Sequence, residues 1–355
     1  MDNKKTILLA AGGTGGHLAP AIALANELIQ ENYQIILITD ERCSKYLKAE
    51  YPFEILCFKV ANFSLKPLKF FLFLINLVQN ISKIVKHIYC NKIKIIITFG
   101  GYTSLAANIS SIVSRKKLIL HEQNSVAGRL NKLFAVYATK IFTSFPNPIG
   151  LEKYQNKTSH TGFLTENFNN NKAKIIDKKF TILIIGGSQG AAYLANLSKK
   201  LFVLLDADIR KNIKVIQQVK AEQKTELAAK YAELNISCEL SEYFFNMGEK
   251  YQETDLAIAR AGASTIAELV HFAIPAIYIP YPHAMHDHQF YNAKFLADRS
   301  SSFLYREDHI DYKQIATLLY KLIKEPEYKQ ELEQKLNILK SKQNSKLMLK
   351  LIKEL

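Results

Sequence analysis

Residues 7–16 read ILLAAGGTGG and residues 181–190 read TILIIGGSQG. The two stretches superimpose at an offset of 174, which sets Gly12, Gly13 and Gly16 against Gly186, Gly187 and Gly190. In each, a short apolar run has the length of a buried strand and breaks on paired glycines. Glycine pairs at a strand end mean that the backbone turns sharply there, or that another group must come very close to it. The recurrence of this unit predicts two Rossmann-like domains in tandem.

The same alternation continues outward from these stretches. TILLAA (6–11), YQIILIT (33–39), KIIITFG (94–100) and KLILHE (117–122) are separated by longer segments of helical period, the pattern of a parallel sheet covered by helices on both faces. With 355 residues the chain has room for two domains that each bury a core. Between the strands KIFTSF (140–145) and KFTILIIGG (179–187) lies the polar run NNNKAKIIDKK, which places the hinge near residue 160. The expected domains are 1–160 and 161–355. Past residue 327 a charged stretch with apolar residues at helical spacing predicts a terminal helix packed across the surface.

Charge separates the two halves. Residues 1–160 carry 20 Lys and Arg against 9 Asp and Glu, a balance of +11, whereas residues 161–355 carry 27 against 23, a balance of +4. The first half therefore faces something anionic. Cys43, Cys57, Cys90 and Cys238 lie far apart without metal-ligand spacing, which predicts free buried thiols in a reducing compartment. The charged start MDNKK is followed by an apolar stretch that ends in glycines and lacks an A-x-A-like site, which argues against a signal peptide. The apolar run FFLFLI (70–75) stops at Asn76 and is too short for a transmembrane helix.

Three glycine loops carry the chemistry: GGTGGH (12–17), FGGYTS (99–104) and GGSQG (186–190). A helix amino end with unpaired N–H groups attracts anions, by about 0.3–2 kcal/mol per favourable contact. None fits a dinucleotide fingerprint, because Leu18 stands where the last glycine is needed, and no GxxxxGK[ST] occurs. Each alone reads equally well as a tight turn; three at corresponding strand ends favour phosphate-bearing ligands. His17 stands where a helix begins, with Pro20 in its first turn. The positive helix end disfavours imidazolium, so the ring is expected to be neutral and able to accept a proton. The alternative is a histidine that merely closes the turn.

The stretch ARAGASTIAELVHFAIPAIYIPYPHAMHDHQFYNA (259–293) contains a strand end at Gly262, a helix start and a proline-ordered loop crowded with polar groups. Thr265 and Glu268 have the spacing of a capping box. A carboxylate one turn into a helix that points at a phosphate pocket suits, equally, the two hydroxyls of a ribose. The DAD at 206–208 ends an apolar helical run rather than following a strand, so it reads as a solvated helix end and no metal is expected.

Taken together, GGTGGH, FGGYTS, HEQN (121–124), GGSQGA, RAGASTIAE and PYPHAMHDHQ followed by NA closely resemble the bacterial MurG family, in the family's order from about residue 7 to residue 297. That resemblance implies a GT-B fold, an α/β architecture of two Rossmann-like domains facing across a cleft. It implies N-acetylglucosamine transfer from UDP-GlcNAc to the 4-hydroxyl of the muramoyl unit of undecaprenyl-diphosphate lipid I, with inversion and with neither cofactor nor metal. The second domain is expected to hold the donor, with Ser188, Ala263 and Thr265 at its diphosphate, Glu268 at the ribose, Phe244 beside the uracil, and His288 and Gln289 reading the sugar. Thr14, Gly15, Gly16 and Asn124 are expected to close on the donor from the first domain. Gly13, Gly101, Tyr102, Thr103 and Ser104 are expected to cradle the acceptor diphosphate, and His17 to take the proton.

Two departures stand out. Where the family has Thr-Gly-Asn-Pro-x-Arg, this chain reads TGFLTE, which puts Glu166 at the arginine position and leaves neutralisation of the diphosphate to Arg260 and the helix ends, unless the carboxylate points away or activity is reduced. Phe244 replaces a common aliphatic residue.

The segment LKPLKFFLFLINLVQNISKIVKHI, placed on a helix, has one stripe of Phe70, Leu74, Leu77, Val78, Ile81, Val85 and Ile88, expected to face the core. Leu68, Phe71, Leu72 and Ile75 fall on another sector, among Lys66, Lys69, Lys83 and Lys86. Either a loop covers them or they dock on an anionic membrane, where four lysines supply roughly 4 kcal/mol. A lipid-linked substrate favours docking and a peripheral place on the cytoplasmic face of the inner membrane; nucleic acid is not an expected partner. Two rivals remain on the same residues: a UDP-GlcNAc 2-epimerase, which needs no acceptor, and a non-catalytic membrane-recruiting subunit.

Overall fold

The structure, a computed structural model, describes residues 5–47, 50–60, 66–166, 168, 179–341 and 345–355. The chain forms two compact units, residues 1–167 with 343–355 and residues 168–342.

In the first unit seven strands are β1 (Thr6–Ala10), β2 (Gln34–Asp40), β3 (Glu54–Phe58), β4 (Ile95–Thr98), β5 (Lys117–Glu122), β6 (Lys140–Thr143) and β7 (Thr158–His160). They pair in parallel in the order β3-β2-β1-β4-β5-β6-β7. The helices are α1 (Gly15–Gln30), α2 (Pro67–Cys90), α3 (Gly101–Val113) and α4 (Arg129–Phe134). Residues 7–10 of strand β1 are apolar because both of its faces are covered. Ile7 and Leu9 are buried on one face with Leu24 and Leu28 of α1, while Leu8 and Ala10 are buried on the other with Ile84 and Ile88 of α2 and Ala106 and Ala107 of α3. The strand order reverses between β1 and β4, so the loops leaving their carboxyl ends, GGTGGH and FGGYTS, are neighbours at a topological switch point.

The second unit repeats this plan. Its strands β8 (Phe180–Ile185), β9 (Ile213–Gln218), β10 (Ser237–Ser241), β11 (Leu256–Ala259), β12 (Ala276–Tyr278) and β13 (Phe303–Leu304) form a parallel sheet in the order β10-β9-β8-β11-β12-β13. Helices α5 (Gly187–Phe202), α6 (Ala207–Lys211), α7 (Ala221–Glu233), α8 (Met247–Glu253), α9 (Ala263–His271), α10 (His288–Ala297), α11 (Tyr312–Lys324) and α12 (Pro326–Ser341) belong to it. Here the switch point lies between β8 and β11, and the loops that leave it are GGSQG and RAGAST.

Several expectations change. The terminal segment is two helices: α12 buries Leu332 and Leu336 in the second unit, whereas α13 (Ser345–Lys353) buries Met348 and Ile352 in the core of the first. Residues 161–166 and 345–355 group with the first unit. Only Cys43 is buried; Cys57, Cys90 and Cys238 are exposed. The inner side of α2 is rotated from the expected stripe rather than opposite to it: Phe73, Asn80, Ile84 and Ile88 are buried, with Leu77 and Ile81 of the expected stripe partly buried against the same core, whereas Phe70, Leu74 and Val78 are exposed together with Leu68, Phe71, Leu72 and Ile75. The polar Asn80 is tolerated inside because its amide donates to the Lys59 carbonyl at 2.9 Å, which lets the smaller stripe be the inner one. Contrary to expectation, α2 is long and apolar enough to cross a membrane by length and composition, with its inner side built into the domain. DAD does not end a helix: Asp206 is the N-cap of α6. Pro20 is the sixth residue of α1, past its first turn.

Candidate functional site

The first cluster forms where β1, β2 and β4 end. Helix α1 starts at Gly15 with Thr14 as extended N-cap, and the amides of His17 and Leu18 both turn back to the Thr14 carbonyl. Gly100 and Gly101 at the start of α3 have φ of +87° and +77°, a region that favours glycine. A Cβ on Gly100 would stand 3.3 Å from the His17 ring, and one on Gly101 would stand 3.5 Å from that ring and collide with the Gly12 carbonyl. The two glycine loops are therefore packed on each other, with the imidazole of His17 between them.

Asp40, which the motifs did not single out, organises this cluster. Its carboxylate is buried at the end of β2 and accepts from the Gly13 amide at 2.6 Å, the Thr103 hydroxyl at 2.8 Å, and the Arg42 amide, Nε and Nη2 at 3.0 Å each. Burial pushes its pKa up, but the bonds from Arg42 and Thr103, the Arg42 charge and the Gly13 amide outweigh it and leave the carboxyl below its ordinary range. Gly12 must lack a side chain, since a Cβ would fall 2.1 Å from Thr103 Oγ1 and 2.3 Å from Asp40 Oδ2.

This geometry sorts the expected acceptor residues. Thr103 spends its hydroxyl on Asp40, and Ser104, fully buried, donates to the carbonyls of Gly100 at 2.7 Å and Ala10 at 3.1 Å. Their side chains hold the loops rather than face a ligand. Tyr102, Gly13 and Gly101 remain at the surface of the cluster, Tyr102 with its ring exposed.

Behind His17 sits the HEQN segment at the end of β5. His121 is fully buried against Phe99, with ring centroids 5.0 Å apart, and burial, followed by the proximity of His17, pushes its pKa down to about 3. It is a neutral wall beside His17. Glu122, also buried, accepts from the amides of Asn124 and Gly128 and from the Asn131 side chain, which shapes the turn that carries Asn124.

The second cluster, in the other unit, surrounds the amino ends of α5 and α9. The Gly187 amide donates to Gln218 Oε1 at 2.9 Å, so the first N–H of α5 is already paired with a side chain. Ser188 lies in the first turn of α5; its side chain is outside the described residues. Helix α9 is capped by Gly262, not Thr265, so Ala263, Ser264 and Thr265 form its first turn and the capping box does not exist. Glu268, half-buried one turn further, accepts from the hydroxyl of Tyr251 at 2.5 Å. Tyr251 is fully enclosed; burial and then the Glu268 charge raise its pKa well above the usual value, so it stays a donor that fixes the carboxylate.

The loop before α10 brings in the sugar-reading candidates. His286 and Asp287 both have positive φ, +54° and +53°, a strained conformation for consecutive non-glycine residues of the kind found at binding sites. Asp287 is braced by Arg306 at 3.1 Å. Gln289 accepts the Tyr281 amide at 2.9 Å, and His288 Nδ1 lies 2.9 Å from the Met285 carbonyl. Arg260 is not a spare cation: buried, it pairs with Glu307 at 2.7 Å, donates to the carbonyls of Ile279 and Pro280, and lies between the rings of Tyr193 and Tyr281. It crosses so close to Gly190 that a Cβ there would be 2.6 Å from it, which ties GGSQG to the PYPH loop. The ring of Phe244 is buried in the domain, whereas neighbouring Phe245 is 89% exposed. Glu166 is half-buried in the first unit. Among the described residues no group of three or more His, Cys, Asp or Glu side chains could hold a metal ion.

The glycosyltransferase family 28 N-terminal domain matches residues 7–143 and the family's C-terminal domain matches residues 181–349. The UDP-N-acetylglucosamine–N-acetylmuramyl-(pentapeptide) pyrophosphoryl-undecaprenol N-acetylglucosamine transferase of Rickettsia felis is 37% identical over 359 residues, covering 97% of this chain and 98% of that one. Its namesake from Rickettsia bellii is 36% identical over 360 residues, covering 99% of each. Among solved structures, Acinetobacter baumannii MurG superposes with a TM-score of 0.76 at 24% identity over 99% of this chain and 100% of that chain, and the kitacinnamycin glycosyltransferase with 0.73 at 12% identity over 100% and 99%. These structures share the two-domain GT-B fold.

Proposed function

The chain belongs to glycosyltransferase family 28, among its MurG members, and from that membership we propose how its residues carry out the reaction. It is a glycosyltransferase that moves N-acetylglucosamine from UDP-GlcNAc to the muramoyl unit of undecaprenyl-diphosphate lipid I and so makes lipid II. The second domain binds the donor. Amides at the amino ends of α5 and α9 hold the diphosphate, Glu268 takes the ribose hydroxyls, and Gln289 with His288 reads the sugar. The first domain binds the acceptor diphosphate at Gly13, Gly101 and Tyr102, with Thr14, Gly15, Gly16 and Asn124 closing on the donor.

His17 takes the proton of the acceptor 4-hydroxyl as oxygen attacks C1 of the sugar. The C–O bond to UDP breaks in the same displacement, with inversion. Negative charge builds on the departing diphosphate, and the helix-end amides of the donor domain stabilise it. A neutral ring is what a general base requires, and the neutral, buried His121 beside it adds no charge that competes for the proton. The observation that carries this reading is the His17 imidazole lodged between two glycine loops, where a Cβ on Gly12 or Gly101 would collide with the neighbouring loop and one on Gly100 would press on the ring.

The enzyme works at the cytoplasmic face of the inner membrane as a peripheral protein. The seven exposed apolar side chains of α2, ringed by Lys66, Lys69, Lys83 and Lys86, support that placement. Incubation with labelled UDP-GlcNAc and a lipid I analogue tests the function: label is expected in a disaccharide lipid, with UDP released one for one. Conversion of UDP-GlcNAc without acceptor would instead identify an epimerase, and vesicle binding without UDP release a recruiting subunit.

A further inference from the structure

Arg42 has no place in the roles assigned so far. It follows β2 by two residues, and three of its nitrogens, the amide, Nε and Nη2, converge on the buried Asp40 carboxylate at 3.0 Å each. A guanidinium gripped along one edge in this way is planar and rigid, and it keeps its other N–H groups in a fixed direction. The side chain is nevertheless 42% exposed, against 1% for Asp40. Its place is the rim of the glycine cluster: a Cβ on Gly13 would lie 3.8 Å from Nη2, and the Tyr102 hydroxyl is near enough for its charge to be felt by the guanidinium. Gly13 is itself held by Asp40, at 2.6 Å. One carboxylate therefore sets the register between a loop amide, the α3 hydroxyl of Thr103 and an outward-facing cation.

We propose that Arg42, clamped by Asp40 beside Gly13 and Tyr102, is a specificity-determining contact for the diphosphate of the lipid-linked acceptor. This rests on the transferase reading above. A preorganised fork costs little ordering entropy when it meets a phosphate and matches two phosphate oxygens at once, which a mobile lysine does not. Asp40 is then the positioning residue, acting only through Arg42, Gly13 and Thr103.

The test is steady-state kinetics with UDP-GlcNAc and a short-chain lipid I analogue in detergent without phospholipid, on wild type, Arg42→Met, Arg42→Lys and the double variant Arg42→Met with Asp40→Asn. Arg42→Met is expected to raise the acceptor KM by about tenfold or more, the size of one lost charge-assisted hydrogen bond, with the donor KM unchanged. Arg42→Lys is expected to recover only part of that. The double variant removes the uncompensated buried carboxylate, so it is expected to regain thermal stability relative to Arg42→Met without regaining acceptor KM. An unchanged acceptor KM in Arg42→Met, or recovery of KM along with stability in the double variant, would overturn the proposal and leave Arg42 a structural partner of Asp40. Loss of binding to phosphatidylglycerol vesicles with an unchanged acceptor KM would overturn it too, in favour of a phospholipid headgroup. Failure of wild type to transfer any sugar would count against the transferase reading itself.

Discussion

Replacing Leu68, Phe71, Leu72 and Ile75 of α2 together by serine isolates what holds the protein at a membrane. These side chains are 72%, 60%, 53% and 40% exposed, the equivalent of about two whole side chains that leave water on docking. At about 1.5–3 kcal/mol for each large apolar side chain fully transferred, they supply roughly 3–6 kcal/mol. That is comparable with about 4 kcal/mol from Lys66, Lys69, Lys83 and Lys86 near an anionic leaflet. The substitutions touch no buried residue of α2, whose inner side is Phe73, Asn80, Ile84 and Ile88, so thermal unfolding should barely move. Co-sedimentation with phosphatidylglycerol-containing vesicles reads the effect: partitioning should fall by about a hundredfold or more. Replacing the four lysines by glutamine should instead remove the preference for anionic over zwitterionic vesicles and the sensitivity to salt. If the tetra-serine variant sediments like wild type, α2 is not the docking face.

Asp40→Asn should destabilise the first domain by about 1.5–3 kcal/mol, read by chemical denaturation, because an amide cannot accept from all the donors around this carboxylate. The sign with pH follows from its lowered pKa: the stabilisation is present above the ordinary value of 3.8 and is lost as pH falls through the lower folded value, and the variant should lack that part of the acid limb. Tyr251→Phe frees the Glu268 carboxylate from its fixing bond and should raise the donor KM several-fold, up to about tenfold, with the acceptor KM unchanged. Glu166→Arg should lower the donor KM if the carboxylate lies near the diphosphate; an unchanged value places it elsewhere.

The fold was legible because its signals are local. An apolar strand ending in glycines, repeated at 174 residues, is enough to propose two sheets, and TILLAA, YQIILIT and KLILHE lie within a residue or so of β1, β2 and β5. What stayed hidden depends on distant partners. Nothing near Thr103 announces that its hydroxyl belongs to Asp40, 63 residues earlier. Thr265 has the spacing of a cap, but Gly262 already begins the helix, and only the backbone reveals that. Helix α2 carries apolar residues on two sides, and periodicity alone does not say which meets the sheet; the Asn80 amide, bonded to Lys59, marks the inner one. The return of α13 to the first unit likewise leaves no local mark.

The central claim is that His17 is the base of a sugar transfer. Turnover of His17→Ala at saturating UDP-GlcNAc and saturating lipid I analogue measures it directly. A loss of about a hundredfold or more in kcat, with the protein folded and UDP-GlcNAc still bound, is the result predicted for a removed general base. Turnover equal to wild type would contradict it.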